Sequence, residues 1–273
     1  SRVLAPEAAA RGAVVIDNSS QWRMEPDVPL IVAGVNDDDA ADHEGIIANP
    51  NCSTMQLMPL FKALRDAVGM KRVIVDTYQA VSGSGNKAVA ELEGQVKAYA
   101  AGEPLEASVY PYPIAFNVLP HIDVFREDGY TKEEWKVTVE TRKILHLPEL
   151  PVSCTAVRVP VITSHSEAVH VELEGSMGPD EARELFAGVP GVIVRDDPAN
   201  AVYPLPSDGA GVDDVFVGRI RADASLPAGK GLAFWVVSDT LRKGAATNAV
   251  EIAEVVVRND WLRKASERVT GIA

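Results

Sequence analysis

The stretch NPNCSTMQLMPLFKALRDAVGMKRVIVDTYQAV (49–81) decides the fold class of this chain. It opens with a short loop, continues into apolar residues at helical spacing, and ends in an alternating run (71–81) that is typical of a strand. Ser53 and Thr54 suit the start of the helix, and Pro59 predicts a kink or an irregular first turn. We therefore predict a loop, a helix and a strand in immediate succession.

The flanking sequence extends this pattern in both directions. On the N-terminal side we predict the end of a helix followed by three short buried strands: helix 4–11, and strands 13–17, 30–35 and 46–48. On the C-terminal side, the loop SGSGN (82–86) leads into a helix that ends at Gly102. The segment 103–128 is rich in Pro and aromatic residues and predicts a structured excursion.

The remainder of the chain mixes helices and strands. Thr131 and Glu134 form a possible capping box for a helix to about His146. The later predicted elements are two β-rich runs within 152–174, helix 179–187, strands 192–194, 215–222 and 232–237, and a long helix from about 241 to 268. The arrangement indicates an α/β protein with an α+β insertion, whose final helix packs back on the first part.

Composition excludes several classes of protein. The 273 residues are 47% hydrophobic and carry 26 Lys plus Arg against 39 Asp plus Glu, a net charge of −13. Such a chain repels nucleic acid and anionic lipid, both of which bind through clustered cations. No apolar run approaches a membrane span, no secretory signal is recognisable, and two cysteines make no disulfide framework. We expect a reduced cytoplasmic protein without nucleic-acid or membrane partners.

Cys52 is the first candidate for chemistry. It lies where a Pro-containing loop meets a helix, so its thiol faces free main-chain N–H groups and the positive end of the helix dipole. Both effects lower the pKa of a thiol and favour the nucleophilic thiolate. The competing interpretation is a small buried cysteine with a packing role only, which is the better interpretation for Cys154 in its strand pattern.

His165, in the segment TSHSE (163–167), is predicted to lie in a turn between two strands, where it could project into a cleft as a general base or remain a surface histidine. The other four histidines show no metal-ligand spacing, and we predict no metal site. They are His43, His121, His146 and His170.

Three scattered cations, Arg23, Lys136 and Arg158, could converge on an anionic substrate or on phosphate. Lys136 and Glu133 are three residues apart on a predicted helix, and an exposed ion pair explains them equally well. Gln79, where a strand meets a loop, has no chemical signature of its own.

Taken together, several stretches resemble the aspartate-semialdehyde dehydrogenase family, in the family's order and over almost the whole chain. These are VVIDNSSQWRM (14–24), NPNCST (49–54), DTYQAVSGSGNKAVAEL (76–92), AFNVLPHID (115–123), EEWKVTVETRKIL (133–145), VRVPVITSHSEAV (157–169) and SDTLRKGAATNAVEIAE (238–254).

The resemblance implies a role for each matching residue. Cys52 matches the acyl-thioester nucleophile, His165 the acid/base, and Gln79 the glutamine that orients the substrate. Arg158 matches the residue that binds the substrate carboxylate, with Glu133 at the substrate's amino end. The remaining matches concern phosphate and cofactor: Arg23 and Lys136 with the adjacent Asn51 for phosphate, and Ser82, Gly83 and Thr240 near the nicotinamide half of NADP.

The resemblance also implies the architecture and the reaction. It implies an incomplete Rossmann-type nucleotide-binding domain and a catalytic and dimerisation domain like that of glyceraldehyde-3-phosphate dehydrogenase. We expect the boundaries 1–50, 51–239 and 240–273, the last being the returning helix. The implied reaction is NADP-dependent reduction of aspartyl phosphate to the semialdehyde, by a homodimer or a dimer of dimers.

Two features depart from the family pattern. The family opens with a strand and a glycine-rich turn that bind NADP, and the present sequence contains no G-x-G-x-x-G after a strand. We therefore expect that part to be missing, and NADP binding and stability to suffer. Secondly, Thr240 stands where the family usually has Asn or Gln, whose amide reaches the nicotinamide carboxamide, and a threonine is shorter.

Two alternatives stay open on the sequence alone. One is another acyl-phosphate reductase with the same thiol chemistry, such as N-acetyl-glutamyl-phosphate reductase. The other is a non-catalytic fragment that only dimerises.

Overall fold

The computed structural model describes residues 1–262, and the fold is built on two separate sheets. The strands are β1 (Val15–Asp17), β2 (Ile46–Ala48), β3 (Met70–Gln79), β4 (Val152–Arg158), β5 (His165–Leu173), β6 (Val192–Val194), β7 (Val215–Ala222) and β8 (Gly231–Ser238). The α-helices are α1 (Leu4–Ala9), α2 (Cys52–Met55), α3 (Met58–Val68), α4 (Asn86–Ala101), α5 (Lys132–Ile144), α6 (Pro179–Ala187), α7 (Pro206–Gly209) and α8 (Thr247–Arg258).

The smaller sheet is the parallel pair β1–β2, and α8 packs against this part of the chain. Ile252 and Val256 of α8 are fully buried with Ile31 and Ile47 in one apolar cluster. The last helix was predicted to return to the N-terminal part, and α8 makes apolar contacts there over 247–258. A π-helical turn, Arg242–Ala246, precedes α8, and the predicted extension of the helix to Arg268 lies outside the described residues.

The predicted strand 30–35 is wrong. Only Leu30 forms a bridge, to Ala48, and the Ile31 N–H donates to the Ala48 carbonyl. The next two main-chain N–H groups donate to side chains instead. Val32 N–H donates to Asn36 Oδ1 at 3.0 Å, and Ala33 N–H donates to Asn248 Oδ1 at 3.0 Å. Because amide side chains satisfy these donors, the apolar run forms a turn rather than a ladder.

The larger sheet is mixed, with the strand order β4-β3-β5-β8-β7-β6. β4 and β3 run parallel, β3, β5, β8 and β7 are antiparallel in succession, and β6 is parallel to β7. One face carries Val73, Val75, Val169 and Val171 into the main core, which also contains the buried faces of α3, α5 and α6. On the opposite face Tyr78 is 38% exposed and its ring lies 5.2 Å from that of Trp235.

The excursion after α4 is ordered by polar side chains of that helix rather than by regular structure. Gln95 is buried; its Oε1 accepts N–H groups of Ile114 and Ala115, and its Nε2 donates to the Glu106 carbonyl at 2.7 Å. The capping box of Thr131 and Glu134 that starts α5 is present as predicted.

A fully buried carboxyl group, Glu167 on β5, lies on the core face, level with Thr77 of β3. Neither of its oxygens has a hydrogen bond among the residues described. Burial raises the pKa of Glu167 well above its ordinary value, and the Gln56 side chain offsets this only in part. Because the native pKa of Glu167 is raised, its contribution to the free energy of unfolding is fully present below the pKa that it has in the unfolded chain. That contribution is lost as the pH rises through the native pKa.

We therefore expect Glu167→Gln to match the parent in stability at acidic pH and to exceed it at neutral pH, because the amide has no charge to bury. Urea unfolding at a series of pH values measures this. Glu172→Gln on the same strand is the control, because Lys71 lowers the pKa of Glu172 and its replacement should bring no gain. Equal pH dependence in parent and Glu167→Gln would show that Glu167 is ionised in the native protein.

Candidate active site

The loop 49–51 connects β2 to α2, whose first residue is Cys52. It is called the cysteine loop or the Asn51 loop below. Asn51 is the N-cap of α2, with an extended backbone and its Oδ1 accepting the Ser53 N–H at 2.9 Å. Ser53 and Thr54 were predicted to start the helix, but both lie inside its first turn and are buried. The residue that caps the helix is Asn51. α2 ends after one turn, and α3 begins with Pro59 in its first turn, as the irregular-turn prediction required.

Two glutamates of α5 hold Asn51 from one side. Glu140 Oε2 accepts the Asn51 main-chain N–H at 2.6 Å, and Glu133 Oε1 accepts Asn51 Nδ2 at 3.0 Å. The two glutamates are two helical turns apart, so they lie on the same face of α5. Glu133 Oε1 also accepts Gln79 Nε2 at 3.1 Å, and the same Nε2 donates to Ser53 Oγ at 2.8 Å. Gln79 thus lies against the first turn of the cysteine helix.

Sheet topology places the other candidates in a row along one edge. Gln79 ends β3 and pairs with Arg158, which ends the parallel strand β4. His165 begins β5, antiparallel to β3, and pairs with Ser238 at the end of β8. Arg158, Gln79, His165 and the segment after Ser238 therefore meet at a single sheet edge. His165 is buried at the first residue of a strand rather than in the predicted turn, and the alternative of a surface histidine is wrong.

The tautomer of His165 follows from its neighbours. The Ala80 N–H donates to Nδ1 at 3.0 Å, and Thr240 Oγ1 lies 3.3 Å from the same nitrogen. Since a main-chain N–H can only donate, Nδ1 accepts and the neutral ring carries its hydrogen on Nε2. Burial, aided by the Arg158 charge, lowers the pKa of His165 well below its ordinary value. The ring is therefore neutral near physiological pH, and Nε2 has no protein partner among the described residues.

Gly83 borders the same space. A Cβ at this position would lie 3.1 Å from Nε2 of His165 and 3.1 Å from Nη1 of Arg158. Arg158 Nη1 is itself fixed by the Ala80 carbonyl at 2.6 Å. The adjacent Ser82 is buried, and its hydroxyl has no protein partner in residues 1–262. Gly83 therefore packs directly against the histidine and the arginine, at a position where a side chain would crowd both.

Two further cations flank the Asn51 loop, each paired with a glutamate of α5. Arg23 Nη1 lies 3.0 Å from Glu140 Oε1, and Lys136 Nζ lies 3.2 Å from Glu133 Oε2. Lys136 also donates to Asp123 at 2.8 Å, and its side chain is only 13% exposed. Lys136 and Glu133 do form an i,i+3 pair, but it is not the exposed pair that the alternative interpretation required.

The thiol itself differs from the sequence-based expectation. The Cys52 side chain retains some access to solvent, but the protein packed around it raises the pKa of the thiol to about 12, chiefly by desolvation and secondly through the Glu133 carboxylate. Arg158, Arg23 and the Ser53 N–H act in the opposite direction. The prediction of a pKa lowered by the helix start was wrong, because a one-turn helix offers little against burial and a nearby carboxylate.

Residues that the sequence interpretation did not single out complete the site. Glu140 holds the cysteine loop, and its place seven residues after Glu133 on a predicted helix was the available signal. Gly244 packs against the nucleophile, since a Cβ there would lie 3.0 Å from Cys52 Cβ. Nothing local to Gly244 in the sequence indicated this contact. Among residues 1–262 no three His, Cys, Asp or Glu side chains are grouped to hold a metal ion.

Comparison with known proteins agrees with this geometry. Residues 61–243 match the sequence model "Semialdehyde dehydrogenase, dimerisation domain", and residues 1–43 match "Semialdehyde dehydrogenase, NAD binding domain". The fold and the cysteine site therefore define an oxidoreductase of the semialdehyde dehydrogenase class. An aspartate-semialdehyde dehydrogenase of Aquifex aeolicus is 55% identical over 94% of this chain and 76% of its own length. The chain belongs to the aspartate-semialdehyde dehydrogenase family.

Other relatives give the same result. An aspartate-semialdehyde dehydrogenase of Bacillus subtilis is 49% identical over 93% of this chain and 75% of its own. Among solved structures, aspartate semialdehyde dehydrogenase II of Vibrio cholerae complexed with ASA superimposes with a TM-score of 0.91 at 44% identity, covering 94% of this chain and 76% of that one. Within residues 1–262, the helices are too short or too polar to cross a membrane.

Proposed function

We propose that this protein catalyses the reversible, NADP-dependent reductive dephosphorylation of L-aspartyl 4-phosphate to L-aspartate 4-semialdehyde. This step belongs to lysine, threonine and methionine biosynthesis and to the diaminopimelate branch. The observation that carries the proposal is the gathering of Gln79, Arg158 and His165 at one sheet edge, with Gln79 touching the helix that begins at Cys52.

The covalent step is assigned to Cys52. Its thiolate adds to the acyl carbon of the acyl phosphate, and expulsion of phosphate leaves an acyl-thioester. The nicotinamide supplies the hydride that reduces this thioester when the cofactor is bound. The resulting thiohemiacetal oxyanion collapses to the aldehyde and regenerates the Cys52 thiolate. In the reverse direction the same thiolate adds to the aldehyde to give the thiohemiacetal, whose hydride the oxidised cofactor would accept, and phosphate then releases the acyl group as the acyl phosphate.

The substrate contributes to forming the thiolate. In the proposed complex its ammonium group lies at Glu133, whose carboxylate is one cause of the raised pKa of Cys52. A positive charge there cancels the repulsion between carboxylate and thiolate and lowers the pKa of the thiol. The thiol thus remains protonated in the resting protein and is activated where substrate is bound.

His165 is assigned the acid/base role, and its tautomer supports the donating half of that role. With Nδ1 accepting from Ala80, the Nε2–H has no protein partner among the described residues and can donate to the substrate's oxygen as negative charge develops there. A buried donor that is already oriented stabilises such a charge without reorganisation.

Phosphate is proposed to bind at Arg23, Lys136 and Asn51. Both cations lie beside the Asn51 loop through their glutamate partners. Asn51 immediately precedes Cys52, so an anion held there lies next to the acyl group on the sulfur.

Ser82, Gly83 and Thr240 are proposed to face the nicotinamide. The residues fit such a group, because the Ser82 hydroxyl is a buried polar atom that lacks a protein partner within the described chain, and the adjacent Gly83 has no side chain to cover His165 and Arg158. Thr240 contributes differently, since its hydroxyl already lies against His165 Nδ1. We assign NADP as the cofactor on the family resemblance.

A homodimer, or a dimer of dimers, is the proposed assembly, in a cytoplasmic enzyme. The match to a dimerisation domain supports association, and the aromatic sheet face of Tyr78 and Trp235 supports this surface as part of the contact. We also keep the division into 1–50, 51–239 and 240–273, which the separate sheets and the packing of α8 support.

The test of the reaction is phosphate-dependent reduction of NADP by L-aspartate 4-semialdehyde, with N-acetyl-glutamate semialdehyde as the competing substrate. We expect turnover with the first and at most a trace with the second. Alkylation of Cys52 at alkaline pH, where part of the thiol is ionised, followed by mass spectrometry, supplies a readout without cofactor. Phosphate should slow it by occupying the site, and L-aspartate 4-semialdehyde should slow it by capturing the sulfur as a thiohemiacetal. Preference for the N-acetyl substrate, or a Cys52 that neither compound protects, would contradict the proposal.

Arg158→Lys tests the carboxylate contact. A single ammonium cannot reproduce the paired donors of a guanidinium, so KM for the semialdehyde should rise roughly 10- to 100-fold while KM for phosphate stays unchanged. Steady-state kinetics with each substrate varied separately measures the difference. An equal rise in both KM values would mean that Arg158 acts on the site as a whole.

A further inference from the structure

Helix α5 contacts both the guanidinium group and the main-chain carbonyl of Arg23. The guanidinium lies 3.0 Å from Glu140, with the two side chains 10% and 1% exposed. The main-chain carbonyl of Arg23 accepts from Lys143 Nζ at 2.8 Å, and the same Nζ donates to the carbonyls of Glu25 and Val28 at 2.9 Å each. Glu140 and Lys143 are three residues apart and lie on the same side of α5. Together they bind the side chain of Arg23 and the backbone of the segment 23–28.

Glu140 also connects Arg23 to the nucleophile. Its second oxygen accepts the Asn51 N–H at 2.6 Å, directly before Cys52. Both oxygens of one buried carboxylate are therefore engaged, one by the cation and one by the cysteine loop. A buried carboxylate is costly unless it is paired and hydrogen-bonded, and these two contacts offset only in part the burial that raises the pKa of Glu140.

The guanidinium keeps a donor for an anion. Arg23 Nη2 donates to the Asn18 carbonyl at 3.1 Å and Nη1 faces Glu140. Nε is buried and finds no hydrogen-bond partner within residues 1–262. Two nitrogens of Arg23 are thus held in place and one buried donor is unused. Because its conformation is already fixed, this side chain can bind an oxyanion without a further loss of conformational entropy.

We propose that Glu140 and Lys143 are positioning residues that hold Arg23 beside Asn51 for the phosphate step. This inference rests on the proposed function, because it takes phosphate as the anion that Arg23 binds. Glu140 acts through Arg23 and Asn51, and Lys143 acts through the Arg23 backbone alone. The two residues therefore provide independent routes to the same test.

The experiment uses Arg23→Met, Glu140→Gln, Lys143→Met and the doubles that combine Arg23→Met with each of the other two. The readout is the concentration of inorganic phosphate that halves the rate of Cys52 alkylation by iodoacetamide, with Cys154 as an internal reference in the mass spectrum. We expect each single variant to raise this concentration at least about 10-fold, the loss of one charge-assisted hydrogen bond. The doubles should add little to Arg23→Met, because residues that act as one unit are not additive.

Protection of Cys52 by L-aspartate 4-semialdehyde should change much less than protection by phosphate, which a general loss of structure would not permit. Circular dichroism and thermal unfolding establish that each variant is folded. Glu172→Gln, an ion-paired glutamate on β5 that contacts Lys71, is the matched control and should leave phosphate protection unchanged.

The outcomes separate the two levels of the argument. If Arg23→Met leaves phosphate protection unchanged, the proposed phosphate site itself is wrong. If Arg23→Met weakens phosphate protection but Glu140→Gln and Lys143→Met do not, the positioning role is overturned. If Glu140→Gln strengthens phosphate protection, the role is also overturned, and Glu140 instead competes with phosphate for Arg23. If Glu140→Gln does not fold, Lys143→Met decides: unchanged protection in that variant also overturns the inference.

Discussion

Cys52→Ala should lower phosphate-dependent turnover by roughly 10⁴-fold or more while leaving the fold intact, as expected for removal of a covalent nucleophile. The side chain lies against Gly244 and retains some solvent access, so losing the sulfur removes little buried apolar contact. The measurement is steady-state turnover with L-aspartate 4-semialdehyde, phosphate and NADP, together with thermal unfolding. Binding of phosphate should survive, since Arg23, Lys136 and the Asn51 loop are unchanged.

Cys154→Ala is the matched control for this variant. Cys154 is a buried thiol on β4 in the main core, and burial raises its pKa well above the ordinary value. Its replacement should cost on the order of 1 kcal/mol of stability and leave turnover within a few-fold of the parent. Comparable losses of activity in the two variants would show that Cys52 has no covalent role.

Gly83→Ala should reduce turnover on the order of 100-fold or more without unfolding the protein. The added Cβ would lie 3.1 Å from His165 Cε1 and Nε2 and from Arg158 Nη1, closer than ordinary contact. Neither neighbour can withdraw easily, since Ala80 N–H holds the imidazole at 3.0 Å and the Ala80 carbonyl holds the guanidinium at 2.6 Å. A displacement of about 1 Å at a reacting group costs this much when chemistry depends on orientation. Kinetics and unfolding of the same preparation measure both effects.

Gly94→Ala provides the contrast, because the same methyl group meets nothing within 4 Å there. Gly94 lies exposed within α4, where alanine is the better helix former, so this variant should gain about 0.5–1 kcal/mol of stability and keep full activity. If Gly83→Ala were as active as Gly94→Ala, the exact positions of His165 and Arg158 against Gly83 would not matter for the reaction.

Local patterns predicted the elements whose causes are local. The capping box at Thr131 and Glu134, the irregular turn at Pro59 and the helix end at Gly102 depend on residues within a few positions of one another, and all are present. The predicted strand 30–35 failed for the opposite reason. The Ala33 N–H is satisfied by Asn248, more than two hundred positions away, and the local pattern contains no trace of that partner.

The candidate site shows the same division. Which residues to consider followed from Cys52 in its loop and from the family resemblance, but their convergence did not. Arg158 and Gln79 meet because β3 and β4 pair in parallel and end at one edge. Arg23 reaches the cysteine loop through Glu140, which lies 117 positions later in the chain.

Cys52 illustrates where sequence information ended. The sequence by itself determined that a thiol stands at the junction of an Asn-rich loop and a helix, because loop, cap and helix are short-range features. The tertiary structure alone decided the state of that thiol. Its pKa depends on how many protein atoms exclude water and on a carboxylate, Glu133, that α5 brings against the loop from more than eighty residues away. Desolvation and charge act through space, so their balance is set only when the chain has folded.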